Sequence, residues 1–357
     1  MKIAYVIDRL GVGGAERVAV DLANLMSKDG QEVTFVTITE DGPLFRELDS
    51  RIAFYDLRRK KKFSPGKMRE LSRVIDQHDV VHVHMRHVLK YICLTKIIFP
   101  FHTKIIFHDH YGKIDIDYSI GYSMKFALGC IDAYIGVDQK LCDWARSSSK
   151  IPKNRIWKLT NIVLPRERKL NGEKRNSTNS IIVVSNFKKE KNIEFAIRIF
   201  EQYVHKHREG TLDIYGQIVD KDYYDYIKKL VLEKGLKNRV SIITDCSDPR
   251  KYLYKYDLAL HTAISESGPL VLIEYLFEGI PFVSFHSGEV ANSLSKHLPL
   301  SISDNWDIDQ WITRIELLQR KNGENIKKKF FEIYQSNFSP KEYLELCKKI
   351  YKKSLDY

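Results

Sequence analysis

Short apolar runs rich in Ile, Val, Phe and Tyr alternate along this chain with longer stretches whose apolar positions recur every three or four residues. In the first half the runs are "KIAYVI", "EVTFVTI", "VVHVH", "TKIIFHD" and "AYIGV", each of strand length. Between the first two lies "AERVAVDLANLMSKDG". Its Val18, Leu22, Leu25 and Met26 fall on one helical face, and Gly30 supplies a stop. The second half repeats the alternation with "SIIVVSN", "TLDIYG", "RVSIIT", "LALHT" and "PFVSF", spaced by helical "NIEFAIRIFEQYVHKH" and a helix through "YIKKLVLEKG". Strands that alternate with helices predict parallel sheets. A last helix begins at "SPKE", with Ser339 as N-cap, Pro340 first in the helix and Glu342 closing a capping box. One of its faces is basic, with Lys348, Lys349, Lys352 and Lys353.

The polar segment Pro165 to Asn179, "PRERKLNGEKRNSTN", has almost no apolar content and separates the two patterns as an interdomain linker would. Two Rossmann-like units joined by that linker are the expected architecture, and 357 residues suit two domains of this size.

Composition narrows the setting. Met1-Lys2 leads straight into a strand, so no signal peptide is visible. The longest apolar run, Tyr91 to Phe107, is interrupted by Lys96, Pro100 and Lys104 and falls short of a membrane span. Five scattered cysteines without a Cys-x-x-Cys fit free thiols in a reducing cytoplasm. The net charge of +12 and pI near 9.2 suggest an anionic partner. "RRKKKFSPGKMR", Arg58 to Arg69, holds seven basic residues and no acid. A solvated face or a contact with an anionic membrane surface explains it; nucleic acid is not expected, because no nucleic-acid motif accompanies it.

Five features could carry chemistry. "RLGVGGAERV" follows the first strand and opens the first helix, where glycines admit a ligand and a helix N-terminus favours an anion. Gly11-Val12-Gly13-Gly14-Ala15-Glu16 does not complete a dinucleotide fingerprint. His82, His84 and His87, with "HDH" at 108 to 110, form a histidine group. His-x-His on a strand points both rings to one face, yet a third ligand at local spacing is not evident, so the expected reading is no metal and histidines lining a cleft. Two "DID" triplets, Asp115 to Asp117 and Asp307 to Asp309, could hold Mg²⁺ but are as easily accidental, and Asp307 reads as a charge at a helix start. "SNFKKEKN" gathers Lys188, Lys189 and Lys191 at a strand end, which suits a diphosphate. In "HTAISESGPLVLIEYLFEGIPFVSF", Glu266 and Glu274 interrupt a segment made for burial. Pro269 is expected as the first helical residue, with Ser267 and Gly268 exposing amides ahead of it, a setting fit for ligand hydroxyls.

In this order and spacing the motifs resemble the retaining glycosyltransferases of family GT4, with GT-B architecture, over nearly the whole chain. "GVGGAERVAVDLANLMSKDGQEVTFVT", "DVVHVH", "IIFHDHYG" and "IDAYIGVDQKLCDW" are similar to the family's first domain. "SNFKKEKNIEFAIRIF" and "SESGPLVLIEYLFEGIPFVSF" are similar to its donor domain, the latter carrying the Glu-seven-residues-Glu signature. The resemblance implies an α/β fold of two Rossmann-like domains, parallel sheets facing across a cleft. These are an acceptor-binding domain over residues 1–164, the linker 165–179, a nucleotide-sugar domain over 180–338, and a helix over 339–357 returning to the first. It implies that Glu274 holds the ribose hydroxyls and Glu266 the donor sugar's hydroxyls. The amides of Ser267, Gly268, Pro269, Leu270 and Val271 would meet the sugar or phosphate end; of these five, proline contributes its position rather than an N–H. Lys191 matches the diphosphate lysine. His110, or its competitor His108, stands beside the reacting sugar, Gly13 and Gly14 close on phosphates or acceptor, and Glu16 and His84 lie on the acceptor side. The chain departs from the family where Asn186 replaces the usual Arg; Lys188 fits a relative's "S-N-F-R" pattern, as a point charge rather than a fork.

The implied activity is retaining transfer from a nucleotide-sugar, UDP-sugar favoured over GDP-sugar, to a glycan or lipid-linked acceptor in capsule, O-antigen or exopolysaccharide assembly. Lys188 and Lys191 neutralise the leaving diphosphate, so no metal and no cofactor beyond the co-substrate is expected. The location is the cytoplasm, with peripheral contact at the inner membrane through Arg58 to Arg69. The rival readings are a nucleotide-sugar 2-epimerase of the same fold, a dehydrogenase on the first domain, and a non-enzymatic basic membrane-surface protein.

Overall fold

A computed structural model of the chain describes residues 1–166, 179–320 and 323–356. It divides into two compact units, Met1–Leu164 with Pro340–Tyr357, and Pro165–Ser339. Most of the expected linker, 167–178, lies outside the described residues. Arg166, at its start, is anchored within the second unit, donating to Glu278 Oε1 at 2.7 Å and to the carbonyl of Arg250 at 3.2 Å.

In the first unit the chain runs β1 (Lys2–Arg9), α1 (Gly14–Lys28), β2 (Glu32–Glu40), β3 (Ala53–Asp56), α2 (Pro65–Ile75), β4 (Val80–His84) and α3 (Arg86–Ile98). It continues through β5 (Lys104–Asp109), α4 (Tyr122–Leu128), β6 (Ala133–Gly136), α5 (Gln139–Ser148) and β7 (Ile156–Lys158). These seven strands form one sheet, ordered β3-β2-β1-β4-β5-β6-β7, with every pairing parallel. Val18, Leu22 and Met26 of α1 are buried as the periodicity predicts, while Leu25 is half-buried. Gly30 closes that helix with φ +85, a conformation that favours glycine.

The second unit comprises β8 (Ser180–Val184), α6 (Ile193–His207), β9 (Thr211–Tyr215), α7 (Lys221–Glu233), β10 (Val240–Ile243) and β11 (Leu258–His261). Then follow α8 (Leu270–Glu278), β12 (Phe282–Phe285), α9 (Gly288–Ser295), β13 (Ile302–Ser303), α10 (Ile308–Arg320) and α11 (Gly323–Asn337). Its sheet is ordered β10-β9-β8-β11-β12-β13, again parallel throughout. Both orders reverse direction beside their first strand, the place where open α/β sheets bind ligands outside the carboxyl ends.

The final helix, α12 (Pro340–Leu355), belongs to the first unit. It buries Tyr343, Cys347, Ile350, Tyr351 and Ser354, a single stripe, and leaves Lys349, Lys352 and Lys353 exposed. Tyr351 reaches the sheet, its hydroxyl 2.8 Å from that of Tyr5 and 2.5 Å from Nδ1 of His82. Lys348 is not part of a free basic face, because it pairs with Asp29 at 3.0 Å. Among the described residues no helix is long and apolar enough to cross a membrane.

Gly216, just past β9, lies so close to the chain leaving β8 that a Cβ would overlap the carbonyl of Ser185. Gly216→Ala is expected to cost about 3 kcal/mol, the upper range of overpacking, and to lower the thermal midpoint. Gly66 in α2 has nothing within 4 Å of its Cβ position, so Gly66→Ala leaves the midpoint unchanged or slightly higher. Equal melting of the two variants by calorimetry would refute this packing account.

Candidate functional site

In the second unit the site is assembled by two loops that grip each other. After β8, Phe187 turns into the core and packs edge-on against Tyr224, with centroids 5.1 Å apart. Burying it aims its neighbours Asn186 and Lys188 away from the core. Asn186 accepts from the backbone N–H of Gln217 at 3.0 Å, which makes it a brace for the β9 loop. A tight turn over Lys189–Lys191 leads to Asn192, which has φ +48 and opens α6. The loop after β11 then closes on this turn. Ile264 N–H donates to the carbonyl of Glu190 at 2.9 Å, and the hydroxyl of Thr262 donates to that of Lys191 at 3.2 Å.

That closure brings Lys191 and Glu266 into direct contact although 75 positions separate them. His261, at the end of β11, approaches the same Glu266 Oε1 with Nε2 at 3.4 Å and reaches Ser284 of the neighbouring strand with Nδ1 at 3.1 Å. Burial alone raises the carboxyl pKa of Glu266, but the Lys191 charge and the His261 contact outweigh it and hold the value at about 2. Both contacts fall on Oε1 and the side chain stays 14% exposed, so the carboxylate keeps a face for a ligand. His261 is a member of this group that sequence reasoning did not single out; its register opposite Ser284 emerges only from the pairing of β11 with β12.

Helix α8 starts one residue later than expected, at Leu270, with Pro269 as its cap because that residue keeps an extended ψ of 107. Gly268, Leu270 and Val271 are partly exposed at its start, while Ser267 and Pro269 are buried. Glu274 lies a turn further in and is 8% exposed. Gly279 ends the helix with φ +71. Lys188 is not held against Lys191: it pairs with Glu190 at 3.4 Å. The two expected leaving-group cations therefore each have a carboxylate beside them.

In the first unit the expected residues again gather at strand ends. Gly13 caps α1, Gly14 begins it, and Glu16 folds back over them so closely that a Cβ on Gly13 would overlap its carboxylate. Burial raises the carboxyl pKa of Glu16, against the hydrogen bond from its own backbone N–H. His82 and His84 stack on one face of β4, with centroids 4.6 Å apart and planes 7° apart. His108 of β5 pairs in register with His84 and joins them. His110 lies tilted against His108, with centroids 4.2 Å apart, and approaches His84, Nε2 to Nδ1, at 3.0 Å. His108 is fully buried and His110 half-exposed. Burial lowers the pKa of all four imidazoles, to about 3 for His82 and His110. His87 does not join them; it is exposed and faces Asp8 at 3.6 Å. The acidic triplets are engaged elsewhere: Asp115 pairs with Lys140, Asp117 accepts from Ser119 N–H at 2.9 Å, and Asp307 caps α10 by accepting from Asp309 N–H at 3.0 Å.

A second feature missed in the sequence is Arg86, which donates to Asp109 at 2.7 Å while stacking over Tyr111 and Trp144. It fixes the end of β5 from which His110 emerges. The intervening Met85 has φ +73, an unusual conformation for a side-chain-bearing residue, between His84 and Arg86.

Two parallel-sheet α/β units, each with polar groups at its strand ends, define the GT-B architecture of nucleotide-using transferases. The family described as Glycosyl transferases group 1 matches residues 166–353, and Glycosyltransferase Family 4 matches residues 12–194. The chain belongs to this glycosyltransferase family and is a glycosyltransferase. It is 23% identical to an uncharacterized glycosyltransferase of Haemophilus influenzae, over 89% of this chain and 90% of that protein. Its fold is similar to that of HepE from Anabaena solved in complex with UDP and glucose, with a TM-score of 0.78 at 14% identity, covering 99% of this chain and 100% of the other. A TarM structure from S. aureus containing UDP gives a TM-score of 0.80 at 13% identity, covering 98% and 99%.

The depressed pKa of Glu266 makes a signed prediction. Its stabilising contribution is complete above the ordinary glutamate range, near about pH 4.3, and is lost as pH falls toward about 2. Glu266→Gln is expected to remove part of the loss of stability across that window in urea titrations of the second unit's transition. An acid limb identical to wild type would refute the Lys191–Glu266 pairing.

Proposed function

We propose that the protein transfers a sugar, with retention, from a nucleotide-diphosphate sugar to a glycan or lipid-linked acceptor in cell-surface polysaccharide assembly. The observation that carries this reading is the Lys191–Glu266–His261 group set before the start of α8, with Glu274 one turn inside the helix. A cation, a helix N-terminus and two carboxylates in that order suit a diphosphate, a sugar and a ribose. UDP is the favoured carrier, supported by the UDP named in the Anabaena and S. aureus neighbours, with GDP the alternative.

In this reading Glu274 binds the ribose hydroxyls and Glu266 the sugar hydroxyls. The backbone from Ser267 to Val271 meets the sugar or phosphate end. As the bond from the anomeric carbon to the diphosphate oxygen breaks, negative charge collects on the leaving group, where Lys191 and Lys188 stabilise it. The attacking hydroxyl forms the new bond to that carbon, and its proton passes to a diphosphate oxygen. Lys191 already touching Glu266 means that donor binding redistributes an existing pair rather than creating a new buried charge. On the acceptor side His110 is the favoured imidazole over His108, supported by its exposure, with Gly13, Gly14, Glu16 and His84 around it.

The proposed chemistry uses no metal. Activity is expected to persist in EDTA, and a loss restored by Mg²⁺ or Mn²⁺ would overturn this. Glu274→Ala is expected to weaken UDP-sugar binding about 100-fold or more, from two hydrogen bonds to a charged acceptor. Calorimetry with a panel of UDP- and GDP-sugars tests it; unchanged affinity for whichever donor binds wild type would sink the assignment.

We also propose peripheral contact with an anionic membrane. Within Arg58 to Arg69 the exposed basic residues are Arg58, Lys60, Lys61, Lys62 and Arg69, with Phe63 exposed among them; Arg58 also pairs with Asp56, and Arg59 stacks over Tyr91. Neutralising Lys60, Lys61 and Lys62 is expected to abolish flotation with anionic vesicles; equal flotation with neutral vesicles would refute the contact.

A further inference from the structure

The histidine group of the first unit has a feature that the transfer reaction does not use. His82, His84 and His108 are each fully buried, and the nitrogens they can offer lie within 4.8 Å of one another. Nε2 of His82, Nε2 of His84 and both nitrogens of His108 lack a hydrogen-bond partner among the described residues. Every neutral imidazole carries one N–H and one lone pair. Leaving such a group buried and unpaired is costly. Three together on one sheet face are therefore expensive unless something accepts their lone pairs.

We propose that His82, His84 and His108 form a binding site for a divalent transition-metal ion, Zn²⁺ in particular. Neutral imidazole nitrogens suit zinc and its neighbours and do not suit Mg²⁺ or Ca²⁺, which take oxygen ligands. Zn–N bonds of about 2.0–2.1 Å in tetrahedral geometry set the nitrogens about 3.4 Å apart, so pairs now up to 4.8 Å apart draw together by up to about 1.4 Å. Burial keeps the three imidazoles neutral, the form that carries a lone pair. The third ligand comes from the neighbouring strand: register places His108 directly beside His84.

For two of the three, His82 and His84, the outer contacts also match what a ligating histidine requires. With Nε2 of His82 on the ion, its Nδ1 carries the proton and donates to the hydroxyl of Tyr351, 2.5 Å away. With Nε2 of His84 on the ion, its Nδ1 donates to Nε2 of His110 at 3.0 Å. The ion would thus fix the tautomer of His110, a positioning effect, and tie α12 to the sheet through Tyr351.

The test uses the full chain without a histidine tag, loaded with Zn²⁺ and freed of excess by gel filtration. About one zinc per chain is expected by elemental analysis, with a higher thermal midpoint than the chelated protein. His108→Leu is expected to lose both effects, while His87→Leu, outside the group, keeps them. Co²⁺ in place of zinc is expected to give the intense visible absorption of a tetrahedral ion, a readout that needs no variant and stands if His108→Leu does not fold. Less than a tenth of an equivalent of zinc in wild type, or equal retention by folded His108→Leu, would overturn the site.

Discussion

A parallel strand covered on both faces can carry polar chemistry cheaply only where it ends, and this constraint organises both units. Strands such as β1 and β8 are buried almost throughout, so their side chains are spent on packing. Lys191, Glu266, His261, Glu16 and His110 all stand at or beyond carboxyl ends, where loops can turn a side chain toward a ligand while the sheet stays apolar. The exceptions are then informative. Asp213 in mid-strand is buried, yet Tyr256 donates to it at 2.6 Å. His82 sits within β4 and has one nitrogen held by Tyr351 and the other without a hydrogen-bond partner among the described residues.

Electrostatics in the second unit follow from the same geometry. Lys191 and Glu266 are largely withdrawn from water, and the cost of desolvating two charges can match or exceed their attraction. The pair is therefore not explained by stability alone. In the proposed reading the lysine holds the Glu266 carboxylate ionised until a donor offers both a diphosphate and hydroxyls. His261 strengthens this, because its ring is braced by Ser284 from the adjacent strand and approaches the same carboxylate oxygen.

Much of this was legible in the sequence, and the misses share a cause. The ten strands marked by apolar runs are present, but β3 "AFYD", β7 "IWK" and the two-residue β13 were not marked. β3 and β7 are short edge strands whose partial exposure mixes polar residues into the run, and β13 is buried but only two residues long. The helix carrying Glu274 was displaced by one residue because proline is acceptable both as a cap and as a first helical residue. Contacts made across strands were invisible: the meeting of Lys191 with Glu266 depends on one backbone and one side-chain hydrogen bond between loops. The histidine trio depends on the register of β4 with β5, so local spacing had shown only two of its three members.

The departure at Asn186 can now be weighed in physical terms. An arginine there would place a forked cation over the leaving diphosphate; asparagine instead spends its carbonyl oxygen on the Gln217 amide and holds two loops together. The charge moves to Lys188, whose neighbour Glu190 also lends its backbone carbonyl to Ile264. A single short turn thus fixes the β11 loop, holds Lys188 beside a carboxylate and presents Lys191 to Glu266. The positive charge near the strand end is preserved, but as two separate lysines whose positions depend on one loop closure. Geometry that a guanidinium would carry in its own plane is here supplied by the backbone of residues 188 to 192.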